Sequence, residues 1–275
     1  MKAFFLLGCL PSLVLAADSR EMVRKALELN AQNSKLTQSY TFLQRQETRD
    51  LDRAGKVKSR KIETWDITLL EGSPYRRLVA RDDLPLAAEE RQREEEKLRW
   101  NLEERSKETS EQKERRMAEW RRRQQRQRAP FDELLDAFDF APALEEHWNG
   151  RQVYRIDASP KPGYKPRSSA AAFLPKVKLR VWIDARDLQA ARLEMEATDA
   201  ISFAGFLVRL EKGTRICVEQ VRINDEVWLP KSFFVAAAAR ILLVKSLNRE
   251  MEYTFSDYKK FQADSRVAAY QPLGH

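Results

Sequence analysis

The hydrophobic pattern changes period several times along the chain. From Asp18-Ser19, which can cap a helix, Met22, Ala26, Leu29 and Leu36 recur at helical spacing with charges between them. The pattern predicts a helix to about Lys35. The period then drops to two, and Tyr40 and Phe42 open a strand reaching about Leu51. Asp52 to Lys56 reads as a tight hairpin turn around Gly55, followed by a strand over 57–70. Trp65, Ile67 and Leu69 share one face of that strand, and Thr64, Asp66 and Thr68 share the other. A turn at Glu71-Gly72-Ser73-Pro74 leads into a third strand, 75–80.

Residues 85–128 break this pattern. They hold 14 Lys or Arg and 11 Glu, a net +3, with no glycine and with Pro85 as their only proline. Leu86, Leu98, Trp100, Leu102, Met117 and Trp120 are nearly their only large apolar groups. This composition predicts a long, exposed helical insertion held by i,i+4 ion pairs and interrupted near Ser106 to Ser110. It ends in Arg121, Arg122, Arg123, Arg126 and Arg128. These five arginines are the candidates for docking a partner protein or an anionic surface.

After the insertion, 130–138 reads as a short amphipathic helix, and the period of two returns beyond Asn149-Gly150. Strands are predicted over 152–158, 178–184, 190–197, 202–210, 214–222, 227–239 and 249–258, with short turns between most of them. Short connections make neighbours antiparallel. The count is about ten strands, nearly all meandering, with helices at the start and between strands three and four. The fold class is α+β. No repeat or linker divides it, so 17–275 is read as one domain that includes the 85–128 insertion.

The first sixteen residues are read as an export signal. Lys2 supplies the positive end, residues 3–15 are apolar, and Val14-Leu15-Ala16 suits cleavage after Ala16, with Ala17 as the near alternative. Leu6-Leu7-Gly8-Cys9 has the look of a lipobox, but the stretch before Cys9 is too short for a lipid anchor to be preferred. Cleavage leaves 259 residues at +7 with Cys217 as the single cysteine, so no internal disulfide forms. No later apolar run reaches the ~20 residues a spanning helix needs. The expected location is periplasmic or secreted.

Composition removes several chemistries. The 8 glycines are never closer than the eight positions between Gly205 and Gly213. A phosphate-binding loop, a dinucleotide fingerprint and a nucleophile elbow all need tighter spacing. His147 and His275 are the only histidines, so a His-rich metal site is excluded. No cofactor or metal is expected. The export signal argues against nucleic acid as the partner of the basic run. Glu145-Glu146-His147 could pair a carboxylate with an imidazole, but a surface helix end is the commoner origin of such a triplet. Asp184 and Asp187 could hold Ca²⁺, yet aspartates at a hairpin turn more often cap local backbone.

The apolar faces carry more. Tyr40, Phe42, Trp65, Ile67, Leu69, Val181, Ile183, Leu193, Met195, Phe206, Val208, Met251, Tyr253 and Phe255 mark one side of their strands. Under covering helices they could bound a hydrophobic ligand cavity or make a filled core, and the pattern leaves both open.

Several motifs together resemble the lipoprotein-localisation factors LolA and LolB. The strand beginning Tyr40-Thr41-Phe42 follows a first helix. Asn149 to Ile156 reads like the family's Gly-x-x-Val-Tyr strand. Lys178 to Asp184, followed by Ala191 to Glu194, reads like its aspartate-ended hairpin. Trp228-Leu229-Pro230, Tyr253 and Ser256-Asp257-Tyr258 match secreted relatives. The resemblance implies an open β half-barrel covered by helices, with an interior that receives lipid acyl chains, and it implies no reaction. The expected role is a non-enzymatic carrier or binder of lipid, lipoprotein acyl chains or another hydrophobic ligand. The alternatives are an envelope protein–protein interaction module using the charged arm, and a secreted hydrolase around His147.

Overall fold

Period-two alternation is realised in long antiparallel strands. In the computed structural model, which describes residues 18–37, 39–203, 208–241 and 245–260, α1 (Ser19–Thr37) precedes β1 (Tyr40–Leu51), β2 (Val57–Leu70), β3 (Ser73–Arg81) and β4 (Leu84–Pro85). Then come α2 (Ala88–Ser106), α3 (Ser110–Asp132), α4 (Leu134–Ala137), β5 (Phe138–Phe140), β6 (Leu144–Trp148) and β7 (Arg151–Pro160). The chain continues through β8 (Val177–Asp184), β9 (Ala190–Ala197), β10 (Ile201–Phe203), β11 (Val208–Leu210), β12 (Arg215–Ile223), β13 (Val227–Ile241) and β14 (Lys245–Lys260). The expected export signal, with Cys9 and Ala17, and the candidate Phe206 lie outside the described residues.

Among the described residues all strands join one 14-stranded sheet in the order β4-β3-β2-β1-β14-β13-β12-β9-β8-β7-β5, with β6 on β7 and the β10–β11 pair attached to β13. The sheet is open, and the architecture is an α+β half-barrel. Its seam is β1 against β14, paired from Tyr40↔Lys260 to Leu51↔Asn248. That pairing joins the N-terminal meander to the C-terminal strands.

Register sorts the side chains into two chemically opposite faces. One cross-strand row runs Ile156, Val181, Leu193, Val218, Phe233, Tyr253 and Gln46. The parallel row beside it runs Ala158, Leu179, Met195, Ile216, Val235, Met251 and Thr48. These rows form the apolar face. The opposite face carries ion pairs: Arg180 bridges Asp157 at 2.5 Å, and Arg192 meets Glu219 at 2.7 Å. Its hub is the buried Glu47, which accepts from Arg45, Arg49 and Arg60. The Arg60 hydrogen bond leads these contacts, and together they outweigh burial and hold the carboxyl at about 2.

Helix α1 lies on the apolar face, with Val23 and Ala26 packed against Ile156 and Ile183. Its buried stripe is therefore Val23 and Ala26, whereas Leu36 is 51% exposed. The far end of α1 is tied down by an amide. β13 and β14 pair only from Ser232↔Thr254 onward. Ahead of that point Asn33 takes the place of a strand partner for Trp228. Its Nδ2 donates to the Trp228 carbonyl at 2.5 Å, and its Oδ1 accepts from the Trp228 N–H at 2.9 Å. Tyr258 does the same for Pro230, donating its hydroxyl to that carbonyl at 2.5 Å. Tyr40, Val227 and Leu229 are buried together beside this splay.

The charged insertion is two helices with no buried residue in either. The break falls at 107–109, where Thr109 and Gln112 form a reciprocal capping box. α3 then runs through Pro130 to Asp132, further than the expected 85–128.

Three expectations need correction. Fourteen strands replace about ten, because β4, β5 and β6 are too short or too charged to show alternation. The single strand expected over 202–210 is two, β10 and β11, paired antiparallel with each other. His147 is in strand β6 and not at a helix end. Asn149 and Gly150 (φ 49° and 74°) make the two-residue turn joining β6 to β7, a pair of positive angles that Asn-Gly adopts at little cost.

Asn33→Ala leaves the buried Trp228 N–H and C=O without partners. Each such group costs ~1–3 kcal/mol, so we expect a loss of about 2–6 kcal/mol, read as a lower urea midpoint at unchanged m-value. An unchanged midpoint would show that α1 is not anchored through this amide.

Candidate functional site

The helices do not fill the apolar face they cover. A cavity of about 130 Å³ remains between α1, the end of α3, α4 and the sheet. Val23, Ala26 and Leu27 of α1 and Phe131 and Leu134 beyond the arginines form its roof. Leu179, Val181, Ile183, Leu193 and Val218 form its floor. A second pocket of about 180 Å³ lies alongside, lined by Phe173, Val177, Met195, Ile201, Leu210 and Ile216. Leu193 and Met195, and likewise Val218 and Ile216, are two apart on their strands, so the two spaces follow one another along β9 and β12.

Two polar groups interrupt the wall. Asn30 and Gln220 both line the 130 Å³ cavity, and the buried Gln220 Oε1 has no hydrogen-bond partner among the described residues. An unpaired buried acceptor is costly, and a donor on a bound molecule would satisfy it. Neither residue stands out in the sequence, because each lies among other polar residues, Gln32 and Asn33 after Asn30 and Glu219 beside Gln220.

The roof is clamped by a carboxylate. Glu133, buried at the junction of α3 and α4, accepts from the Tyr164 hydroxyl at 2.5 Å, the Arg167 N–H at 2.8 Å and the Ser168 hydroxyl at 2.7 Å. The Tyr164 and Arg167 bonds outweigh burial and hold its carboxyl at about 2. Burial, reinforced by Glu133, pushes the Tyr164 phenol up to about 12. The hydrogen bonds therefore fix the α3–α4 junction, which carries Phe131 two residues before Glu133 and Leu134 directly after it, over the floor.

The candidate apolar residues divide. Val181, Ile183 and Leu193 line the cavity, and Met195 lines the adjoining pocket. The rest lie elsewhere. Phe42 packs on Phe255 and Tyr258 with ring centroids 5.7 and 5.4 Å away, and Tyr253 packs on Phe233 at 5.7 Å. Trp65 lies under the Arg76 guanidinium at 4.5 Å, Ile67 is buried and Leu69 half-buried. Met251 accepts a weak contact from the Tyr253 hydroxyl. Tyr40 belongs to the buried cluster at the splay, and Val208 pairs with Ile241 on β11.

The polar candidates are occupied. Asp184 accepts from the Arg186 and Asp187 N–H groups of its own turn and from Arg151 at 2.5 Å. Burial raises its pKa, but Arg151 and the turn N–H groups outweigh this and leave it below the ordinary value. Asp187 meets Arg151 and Arg222, both at 3.3 Å, and the Trp228 indole N–H at 3.1 Å. Glu146 is held by Arg155 and Trp182, while His147 is exposed. Cys217 is half-buried on the polar face, and burial pushes its thiol up, away from thiolate chemistry. Among the described residues no helix is long and apolar enough to cross a membrane.

Because the folded-state pKa of Glu133 is depressed, its clamp contributes fully above the ordinary value near 4.5 and is lost as pH falls towards about 2. Glu133→Ala at neutral pH mimics that loss. Hydrogen exchange over 131–137 and 164–171 should speed up by at least ~10-fold while β1 and β14 stay protected, as expected for local opening. Uniform acceleration, or none, would show that Glu133 is not a local clamp.

No protein-family model matches the chain, and no curated protein matches it. Among solved structures, a putative outer membrane lipoprotein-sorting protein domain from Vibrio parahaemolyticus is similar at TM-score 0.35 and 12% identity, over 88% of this chain and 94% of that one. A DUF1329 family protein from Desulfovibrio piger is similar at TM-score 0.29 and 11% identity, over 90% of this chain and 95% of that one. The MucA/MucB complex structure from Pseudomonas aeruginosa is similar at TM-score 0.27 and 9% identity, over 87% of this chain and 100% of the matched one. These are likenesses in the course of the chain, and no residue role is taken from them.

Proposed function

We propose that this protein is a non-enzymatic carrier of a single-chain apolar ligand in the cell envelope, with the ligand held between α1 and the sheet. The observation that carries this reading is the unfilled space over Val181, Leu193 and Val218. Folded interiors are normally close-packed, so an apolar gap under a helix is either a stability defect or a binding site. An apolar cavity of about 150 Å³ can hold a benzene-sized guest. The 130 Å³ cavity therefore takes one ring or a short alkyl segment, and its 180 Å³ neighbour extends that path along β9 and β12. One acyl chain suits this path better than several side by side. The unpaired Gln220 oxygen favours a neutral donor, such as an amide or hydroxyl, near one end of the ligand. The envelope location follows from the expected export signal.

Leu193→Trp fills the cavity floor and should weaken binding of a fluorescent fatty-acyl probe by at least ~10-fold, the cost of losing roughly two buried methylenes. Met251→Trp, on the same face outside the cavity, should leave binding within a factor of about 2, as a substitution at an independent site does. Equal effects of the two substitutions, or no probe binding by the unaltered protein, would remove this reading.

A further inference from the structure

The arginines of the insertion stand apart from the protein's other charges. One turn earlier, Arg115 pairs with Glu111 and Arg116 with Glu108. Arg121, Arg122, Arg123, Arg126 and Arg128 are all exposed, and none makes an ion pair or a hydrogen bond among the described residues. Every residue of α3 from 121 to 128 is exposed, which covers more than two full turns. Glu119 and Asp132 bracket the segment, and no carboxylate lies between them. The guanidiniums therefore radiate around the helix as an uncompensated cationic band.

The band leads directly to the cavity. Phe131, three residues after Arg128, lines it and is 40% exposed. Three residues advance a helix by ~4.5 Å. Cations attracted to a headgroup layer would hold the Phe131 and Leu134 roof at the level where acyl chains begin.

We propose that Arg121–Arg128 docks the protein on an anionic phospholipid surface and presents the cavity entrance to the bilayer. The docking rests on the charge pattern alone. The presentation of the entrance rests on the carrier reading. Arginines directed to all sides do not build the fixed fork that recognises one carboxylate or phosphate, but they suit a continuous layer of phosphates, whose attraction depends on charge count and falls with salt.

The test is co-sedimentation of the full chain with vesicles of phosphatidylcholine alone or mixed with phosphatidylglycerol. Three proteins are compared: the unaltered chain, a variant with all five arginines changed to Gln, and one with all five changed to Lys. These side chains are exposed and have no ion pair or side-chain hydrogen bond among the described residues, and both replacements are good helix formers. The unaltered protein should bind the phosphatidylglycerol vesicles, release at high salt, and ignore phosphatidylcholine. At ~1 kcal/mol per basic residue near such a surface, the Gln variant should lose at least ~100-fold in partitioning, and the Lys variant should keep most of it. Equal binding to both vesicle types, or full binding by the Gln variant, overturns the proposal. Acyl-probe binding in solution is read on the same proteins and should be equal in all three. Loss of vesicle binding with intact probe binding separates this proposal from the carrier reading.

Discussion

A single sheet with two chemically opposite faces imposes the main constraint on this fold. Pairing β1 with β14 makes the sheet continuous from the N-terminal meander to the C-terminal strands. One face satisfies itself with ion pairs centred on Glu47. The other presents apolar rows across seven strands, and those rows must be covered. The cover is α1, the end of α3, α4 and the segment before β8, whose Ala171 and Leu174 are buried with Ala158 and Leu179. Where aromatic side chains are large, as at Phe42, Phe255 and Phe233, the rows pack on themselves. Where the floor is Val181, Leu193 and Val218, the side chains are shorter and the roof meets them only in part, leaving space above them. The cavity is the geometric remainder of that mismatch.

Polar anchors hold the roof at that height. Asn33 completes the backbone of Trp228 where β14 has left β13, and Glu133 gathers the Tyr164 hydroxyl, the Arg167 N–H and the Ser168 hydroxyl at the other end. Both sit at helix ends, while the middle of α1 touches the floor through small residues. A roof fixed at its ends and thinly packed at its centre can admit a guest without unfolding, because the anchors need not break for the middle to lift. A longer acyl chain needs that movement, since neither pocket alone exceeds the size of a ring or short alkyl segment.

Long strands and the helical break were legible in the sequence because their signals are local. The period of two over 40–51 and 57–70, the turns at Gly55 and Gly72, and the interruption before Ser110 each depend on adjacent residues. The shared face of Val181, Ile183 and Leu193 was legible for the same reason. What stayed hidden depends on distant partners. Asn33 reaches a strand 195 residues away, and Glu133 a loop more than thirty residues on. Gln220 becomes informative only once its neighbours are known to be a cavity wall. β6 escaped because Glu145, Glu146 and His147 mask its alternation, although Asn149-Gly150 is a strong hairpin signal. Tyr40 and Phe42 shared the cavity pattern but are taken up by aromatic packing, a distinction set by side-chain volume and not by period.

The central claim is that the space between α1 and the sheet carries a ligand. Native mass spectrometry of protein purified gently from its own envelope fraction, followed by analysis of the organic extract, tests it most directly. The account predicts a single-chain lipid at about one per protein, released by denaturation and bearing a neutral hydrogen-bonding head. Protein that retains no lipid, and takes up none when mixed with envelope lipid extract, would contradict it.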